Sequence, residues 1–503
     1  MDVRDRDRRV AVQRQGRQEP KVAVWRTVAL TVTVFSFALR LRERSCSPAR
    51  TPRCRSSSEA GTSSAVPLVT GRAGRAAIWF RRTGGAGRAW GRHPCFNRIG
   101  DIGVITLPLY DPTQHRPLDS GQWTETTARG AIEAIACDAI DAYQGPERLW
   151  PNAPDDLEGD PDAPFRSAYL GASGVGWALE LLAREGLSPE LPGLAELADS
   201  LPEGFRRAPE FVGLAPPPAP SLLFGESGIL LMVEAIRHTG AHLDDLEACI
   251  RRNARNPSRE LCWGSPGTMV AALELWRRTR QERWRETWLD SANWLLDEWH
   301  ECVWVQDLYG KRRRYTGAGH GFASNAFVLL AGRDLLGDRA RDVVDRLAAV
   351  FRELAVEEDG VAQWPPLADD ATGRRPVQWC HGSPGMITSL SGLPADDETD
   401  GLMAAGGELI WRAGPLTKGV GLCHGTAGNA YAFLSLYARL GDERWLHRAR
   451  RFAMDAAADV CRRRAANARG RYTLFTGDIG VALLLRSCLN ADPAFPVLAG
   501  GNP

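Results

Sequence analysis

Cysteine and histidine recur at three places along this chain, each time directly before a glycine. Residues 380–382 and 423–425 both read Cys-His-Gly, and residues 320–321 read His-Gly. Thiolate and imidazole are the ligands that zinc prefers in proteins. A histidine near its ordinary pKa can also exchange a proton at neutral pH. These residue types point to metal binding combined with acid–base chemistry.

Cys380, Cys423 and His424 form a donor set of two sulfurs and one nitrogen. Catalytic zinc sites use three protein ligands and leave one position open. The sequence therefore predicts one zinc ion on these three residues, with the fourth position free for a substrate thiol. The alternative is a structural role, in which the cysteines are buried and reduced and the histidine caps a helix.

Three neighbouring residues receive other roles. His320 stands without a cysteine beside it, and it is predicted to be the acid–base residue rather than a ligand. His381 is predicted to orient the substrate or Cys380, because His424 already completes the ligand set. Cys262 lies two residues before a glycine and is interpreted as a packing residue.

These motifs belong to a repeat. Seven Gly-rich turns, here numbered one to seven, occur at residues 171–174, 225–228, 264–267, 321–324, 382–385, 425–428 and 477–480. Their first glycines lie 39 to 61 residues apart. Because equivalent repeat positions occupy equivalent places in a repeating fold, residues of turns five and six are expected to meet in space.

The segments around each turn predict paired helices. An apolar run follows each turn, as in residues 229–236, and a helix that is apolar on all sides is enclosed on all sides. A charged segment with apolar residues at helical spacing precedes each turn, as in residues 340–354. The chain is therefore predicted to be all-α, an α/α toroid of seven helical hairpins. The apolar helices, each of which begins at a Gly-rich turn, form its inner ring.

Charge divides the chain into two parts. The first 100 residues carry 21 basic and 6 acidic side chains, and the remaining 403 carry 41 and 55. Residues 1–103 are predicted to be a basic extension that is disordered, serves as a targeting segment, or lies upstream of the true start, and residues 104–503 to be the toroid. The extension has no aromatic interleaving or motif for nucleic acid, so no nucleic-acid partner is expected.

The spacing of the cysteines and the length of the apolar runs indicate the cellular location of the protein. The 11 cysteines have irregular spacing, which favours reduced thiols in the cytoplasm over a disulfide framework. The apolar stretch at residues 27–39 is shorter than a bilayer-spanning helix needs, and no longer run occurs. The sequence therefore predicts a cytoplasmic protein without stable membrane insertion.

The motifs at turns five and six resemble those of the lanthionine synthetase C-like (LanC-like) family. The resemblance rests on Trp-Cys-His-Gly-Ser-Pro-Gly at residues 379–385 and Leu-Cys-His-Gly-Thr-Ala-Gly-Asn at residues 422–429. It extends over roughly residues 104–490. It implies the seven-hairpin toroid, and zinc on Cys380, Cys423 and His424 with His320 handling a proton.

The resemblance also implies a reaction. Members of this family add a thiol to the β-carbon of dehydroalanine or dehydrobutyrine. The thiol is a peptide cysteine in the ring-forming lantibiotic cyclases and glutathione in the eukaryotic-type members. Lys418 matches a glutathione-binding lysine of the latter. The peptide cyclases carry an aspartate before the second turn, which is absent here, and Glu226 is the nearest carboxylate.

Two other functions compete with this one. The chain is alternatively a module that binds zinc and a thiol such as glutathione without turnover. A toroidal glycosidase would instead need two carboxylates facing the ring cavity, for which Glu226 and Asp478 are the candidates. The partners expected for the enzyme are a dehydrated peptide or protein and glutathione.

Overall fold

The computed structural model describes residues 108–498, apart from 120, 154–155, 157–162, 214–218, 370–372 and 374. The basic extension predicted for residues 1–103 and its boundary at residue 104 lie outside the described residues. Among the helices that are described, none combines the length and the apolar character needed to cross a bilayer.

Fourteen α-helices make up most of the described chain. In chain order they are α1 Glu125–Ala142, α2 Ala172–Arg184, α3 Leu194–Arg207, α4 Glu226–Arg237, α5 Leu243–Asn253, α6 Ser265–Thr279, α7 Glu282–Asp297, α8 Phe322–Ala331, α9 Ala340–Glu353, α10 Ser383–Leu390, α11 Asp397–Ala413, α12 Thr426–Leu440, α13 Glu443–Asn467 and α14 Asp478–Asn490. Each even-numbered helix begins at one of the seven Gly-rich turns.

Two small antiparallel hairpins interrupt the helices. Strand β1 (Gln306–Leu308) pairs with β2 (Lys311–Arg313) between α7 and α8. Strand β3 (Val356–Glu358) pairs with β4 (Val361–Gln363) between α9 and α10. The strands of each hairpin pair only with one another, so the described part of the fold is helical, as predicted.

The two sets of helices differ in burial as their sequences require. Inner helix α12 is enclosed, and its Tyr431 and Phe433 have no exposed surface. Outer helix α9 buries one face, including Leu347 and Phe351, while Arg341 on the same helix is exposed. Each such buried side chain contributes about 1.5–3 kcal/mol relative to an exposed one. Burial therefore sorts the helices into an inner and an outer ring.

The inner ring is closed. Each even-numbered helix contacts the next, from α2 through α14, and α14 returns to contact α2. The first outer helix, α1, packs against the last inner helix, α14, and so covers the junction between the chain ends of the ring. The predicted α/α toroid of seven hairpins is confirmed.

Turn six shows why glycine is required at these positions. A Cβ atom on Gly428 would lie 1.8 Å from the carbonyl oxygen of Leu422, and one on Gly425 would lie 2.3 Å from the amide nitrogen of Gly421. Backbone segments approach this closely only where there is no side chain. The turn thus folds tightly onto the residues before it, and this fixes where Cys423 and His424 can lie.

Backbone hydrogen bonds join neighbouring turns through the residue two positions before each opening glycine. The N–H of this residue donates to the carbonyl of its counterpart in the next turn. The bonds are Gly319 to Cys380 (3.3 Å), Cys380 to Cys423 (3.0 Å), Cys423 to Phe475 (2.9 Å), Phe475 to Tyr169 (3.2 Å) and Tyr169 to Leu223 (3.0 Å). We call this series the backbone belt. It includes the step from turn seven to turn one, where the ring closes.

The turn packing predicts a contrast between two glycines. Gly428→Ala should lower the free energy of unfolding by about 1–3 kcal/mol, because the new methyl group meets a carbonyl that cannot move freely. Gly401→Ala, at an exposed position of α11 with open space around it, should raise it by about 0.5–1 kcal/mol. Denaturant unfolding measures both values, and equal effects would contradict the role given to the turn.

Candidate active site

Cys380 and Cys423 are neighbours in the backbone belt, so their side chains leave adjacent points of the ring. The ligand atoms of Cys380, Cys423 and His424 all lie within 4.8 Å of one another. Both cysteines are buried, with 7% and 8% of their surfaces exposed. Two sulfurs and an imidazole nitrogen fit zinc in type and number. The structure brings the three predicted residues together, and their role as ligands stays a prediction.

The pKa values of the two thiols shift in opposite directions. The hydrogen bond from Cys380 holds the pKa of Cys423 well below its usual value, although burial opposes this, and His424 lowers it further. The same hydrogen bond, followed by burial, raises the pKa of Cys380. Gln378 donates from Nε2 to the sulfur of Cys380 at 3.1 Å. Cys380 is thus the donor and Cys423 the acceptor of the hydrogen bond between the two sulfurs, and a divalent cation would displace the proton of that bond.

Tyr169 occupies the belt position of turn one. Burial raises the pKa of its phenol, and so does the hydrogen bond that its hydroxyl makes with Cys423. The ring stacks on Phe475 with 4.8 Å between centroids and lies 4.7 Å from Phe224. Tyr169 was not among the residues predicted from the sequence. The only signal was its place two positions before Gly171, which it shares with the two cysteines.

His320 rests on a buried carboxylate. Glu260 has no exposed surface, and its oxygens accept hydrogen bonds from the backbone N–H groups of Cys262 (2.9 Å) and Trp263 (2.6 Å). Its Oε2 atom also lies 2.8 Å from Nδ1 of His320. These bonds fix both the carboxylate and the ring that it holds.

Glu260 was missed in the sequence, although a signal existed. It stands four positions before the opening glycine of turn three. The equivalent positions of the other six turns carry Ser167, Ser221, Gly317, Gln378, Gly421 and Thr473, none of them charged. A carboxylate in that series is an exception that the repeat makes visible.

Glu260 determines the charge of His320. Burial by itself lowers the pKa of this imidazole, but the hydrogen bond with Glu260 and the negative charge of Glu260 together outweigh burial and raise it. The side chain is 23% exposed, so part of the ring remains accessible. Because Nδ1 is bonded to Glu260, the proton available for exchange is the one on Nε2.

Cys262 lies closer to the site than its interpretation as a packing residue implied. It stands two positions before Gly264, at the same repeat position as Cys380 and Cys423. The backbone N–H of Cys262 donates to the carboxylate of Glu260, and the thiol of Cys262 donates to the carbonyl of Gly319 at 3.3 Å. In the part of the chain that is described, no backbone hydrogen bond joins the N–H of Cys262 to the carbonyl of Gly319. The thiol therefore continues the belt where the backbone leaves it.

His381 lies beside the predicted acid–base residue. The ring centroids of His381 and His320 are 6.1 Å apart, and that of Tyr315 is 5.9 Å from His381. Burial, followed by the charge of His320, lowers the pKa of His381 to about 3. Its Nδ1 atom is buried and has no hydrogen-bond partner among the described residues. The neutral form of the His381 imidazole is thus favoured, and its contact with the substrate stays a prediction.

Lys418 is exposed on the loop that leads into turn six. The pKa of Cys380 is raised mainly by the hydrogen bond with Cys423 and by burial, and the positive charge of Lys418 acts in the opposite direction and lowers it. The loop is tied down, since the N–H of Thr417 donates to the carbonyl of Gln114 at 3.0 Å. Lys418 therefore offers a positive charge at the edge of the site.

The two carboxylates considered for other functions are engaged elsewhere. Glu226 pairs with Arg206 and Arg252 and accepts a weak hydrogen bond from the thiol of Cys249. Asp478 is buried at the start of α14, where it accepts from the backbone N–H of Arg471 at 3.1 Å. Glu260, and not Glu226, is the carboxylate next to His320.

Comparison with known sequences identifies one family and two relatives. A sequence model of the family described as lanthionine synthetase C-like protein matches residues 166–498. The chain is 34% identical over 210 residues to a Danio rerio protein named glutathione S-transferase LANCL1, which is 40% of this chain and 47% of that one. It is 31% identical over 206 residues to the LanC-like protein GCL1 of Arabidopsis thaliana, which is 39% and 46% of the two chains. The chain thus spans about half the length of these curated relatives.

Comparison with solved structures concerns the fold. The structure of nisin cyclase superposes with a TM-score of 0.52 at 14% sequence identity, covering 75% of this chain and 97% of that one. At this identity the likeness supports the toroid and carries no information on substrate.

The Glu260–His320 pair predicts a pH effect with a definite sign. A raised imidazole pKa means that the pair stabilises the fold fully below the unfolded-state pKa of about 6.5, and that this stabilisation is lost as pH rises through the folded-state pKa. Glu260→Gln should lower the pKa of His320, measured by NMR titration of the metal-free protein. Glu203→Gln, on the exposed face of α3, is the matched control. An unchanged His320 titration in Glu260→Gln would contradict the assignment.

Proposed function

Since this chain belongs to the lanthionine synthetase C-like family, we propose that it is a zinc enzyme that adds a thiol to dehydroalanine or dehydrobutyrine residues. The observation that carries the proposal is that the ligand atoms of Cys380, Cys423 and His424 lie within 4.8 Å of one another, with His320 close enough for the charge of Cys423 to raise its pKa. These residues come from turns four to six, and the closed ring brings them to one place.

Cys380, Cys423 and His424 would hold the metal. Their sulfur and nitrogen donors fill three positions of a tetrahedral ion and leave one for a thiol. A bound zinc ion would supply a lowered thiol pKa and a local positive charge, so that the thiol is nucleophilic at neutral pH. The hydrogen bond that Gln378 donates to the Cys380 sulfur would orient that ligand.

His320 would complete the addition. In this reaction the S–H bond breaks, a C–S bond forms at the β-carbon, and a proton is delivered to the α-carbon, with no net oxidation. Glu260 raises the pKa of the imidazole and so favours its protonated form, and its bond to Nδ1 leaves the Nε2 proton free to transfer. The same positive ring would stabilise the negative charge that develops as the thiol attacks. Neutral His381 would contact the substrate beside it.

We propose a dehydrated peptide or protein as the acceptor, and glutathione ahead of a peptide cysteine as the thiol. Glutathione carries two carboxylates, and Lys418 offers a cation at the edge of the site. Cys262, Cys380 and Cys423 are free thiols, which supports a reducing location such as the cytoplasm.

The central experiment combines metal analysis with mass spectrometry of a dehydroalanine peptide incubated with glutathione. We expect the wild type to hold one tightly bound zinc and to form the thioether adduct. Cys380→Ala should lose both. Cys461→Ala, at an exposed position of α13, should keep both and serves as the control. Zinc retained in full by Cys380→Ala would refute the ligand assignment, and zinc without any adduct would favour the binding-module alternative.

His320→Asn separates metal binding from catalysis. We expect this variant to keep its zinc and to lose a factor of about 10²–10⁴ in kcat, which is the usual contribution of a general acid or base. Metal content and single-turnover rates on the same sample measure the two effects. A variant that loses zinc together with activity would show that His320 acts on the metal site instead.

Lys418→Ala tests which thiol is used. Loss of an exposed charge pair costs about 0.2–1 kcal/mol, so KM for glutathione should rise by roughly 1.5- to 5-fold with kcat little changed. Lys311→Ala, on exposed strand β2, is the control. If glutathione kinetics do not change while addition of a peptide cysteine is impaired, a peptide thiol is the natural nucleophile.

A further inference from the structure

A second set of metal-ligating side chains lies beside the first. The ligand atoms of Glu260, Cys262 and His320 are all within 4.8 Å of one another. They supply one oxygen, one sulfur and one nitrogen, a combination that zinc accepts. We propose that these three residues form a second zinc site, which inhibits the enzyme when it fills. Zinc binding at this second site does not depend on the proposed function, whereas the inhibition rests on it.

The site is formed before any metal enters. Glu260 has no exposed surface, and two backbone N–H groups hold its carboxylate in place. Cys262 is 4% exposed and sits on the same turn, so its sulfur cannot move far from that carboxylate. His320 reaches them from turn four. A fixed donor set loses little conformational entropy when it binds an ion.

The geometry needs only a small adjustment. Zinc bonds of about 2.0–2.3 Å put tetrahedral ligand atoms roughly 3.3–3.8 Å apart, and the three atoms here lie within 4.8 Å. The thiol of Cys262 would give up its hydrogen bond to the carbonyl of Gly319, a weak bond that sulfur donates at 3.3 Å. The carboxylate would keep both of its backbone donors.

Charge and protons balance in this site. Zinc takes the place of the proton that lies between His320 and Glu260 and of the thiol proton of Cys262, and both protons pass to solvent. The resulting site holds a dication, a carboxylate, a thiolate and a neutral imidazole, and is therefore neutral overall. The first site would be neutral in the same way, with two thiolates and His424. Two filled sites side by side would not repel each other through net charge.

The two sites have no ligand in common. The first uses turns five and six, and the second uses turns three and four. Filling the second site would put zinc in place of the Nδ1 proton and leave the Nε2 proton on a neutral imidazole, which gives up its proton far less readily than the imidazolium does. The metal of the first site would not be displaced. Excess zinc should therefore stop proton transfer while leaving the first ion in place.

Equilibrium dialysis of the metal-free full-length chain against zinc, followed by metal analysis, tests the binding. We expect two equivalents in the wild type at saturation, one in Cys262→Ser, and one in the Cys380→Ser, Cys423→Ser double variant. Cys461→Ser should bind two, and thermal unfolding of each variant checks that it folds. Wild type that saturates at one equivalent, or Cys262→Ser that still binds two, would overturn the proposal.

Cobalt provides a second, activity-independent measurement. Thiolate-to-cobalt absorption in the near ultraviolet should fall by about one third in Cys262→Ser, because two of three thiolates remain.

Excess zinc should inhibit thiol addition by the wild type and not by Cys262→Ser. Two bound ions without any detectable addition would leave the second site standing and refute the proposed function, whereas equal inhibition of both proteins would refute the inhibitory role.

Discussion

The backbone belt is the interaction on which the site depends. At five of the seven steps around the ring, a turn donates one N–H to the next through the residue two positions before its opening glycine, and these steps include the point where the ring closes. A hydrogen bond of this kind fixes the spacing and the relative direction of the two residues that it joins. Cys380 and Cys423 are consecutive members, so their sulfurs meet although many residues separate them. Close packing of the glycines against preceding carbonyls keeps each turn in that position.

The belt departs from its pattern at turn three, and the acid–base chemistry is located there. Glu260 takes the N–H groups of Cys262 and Trp263, which removes Cys262 from the backbone series. A buried carboxylate is costly unless its oxygens are satisfied, and here three donors satisfy it. Its remaining capacity is used to hold and charge His320. The local irregularity of the fold thus coincides with the residue that would handle the proton.

Burial and charge divide the candidate active site into two electrostatic regions, one around Cys423 and one around His320. Around Cys423 a shared proton, His424 and Tyr169 favour a thiolate, which suits a metal ion. Around His320 a carboxylate favours an imidazolium, which suits proton delivery. Opposite charges in adjacent regions of low dielectric stabilise each other, so each region supports the protonation state of the other. The Glu260–Cys262–His320 set shows that the second region has donors enough to take a metal itself.

The sequence by itself determined the repeat, the helix pairs and the donor set. The apolar runs after the glycine turns predicted buried helices, and the repeat predicted that these helices stack. Closure of the stack into a toroid was expected mainly from the resemblance to the LanC-like family. The shared position of Cys380 and Cys423 before their glycines was likewise readable, because equivalent repeat positions become equivalent places.

Only the tertiary structure decided which other side chains share that space. Glu260 could have capped its own turn or faced solvent, and its contact with His320 depends on how turns three and four are set against each other. Cys262 and Tyr169 occupy the same repeat position as the ligands, yet a thiol or a phenol there is equally compatible with simple packing. Ring closure brings turn one beside turn seven, and it is this long-range contact, invisible to local pattern, that places Tyr169 against Cys423.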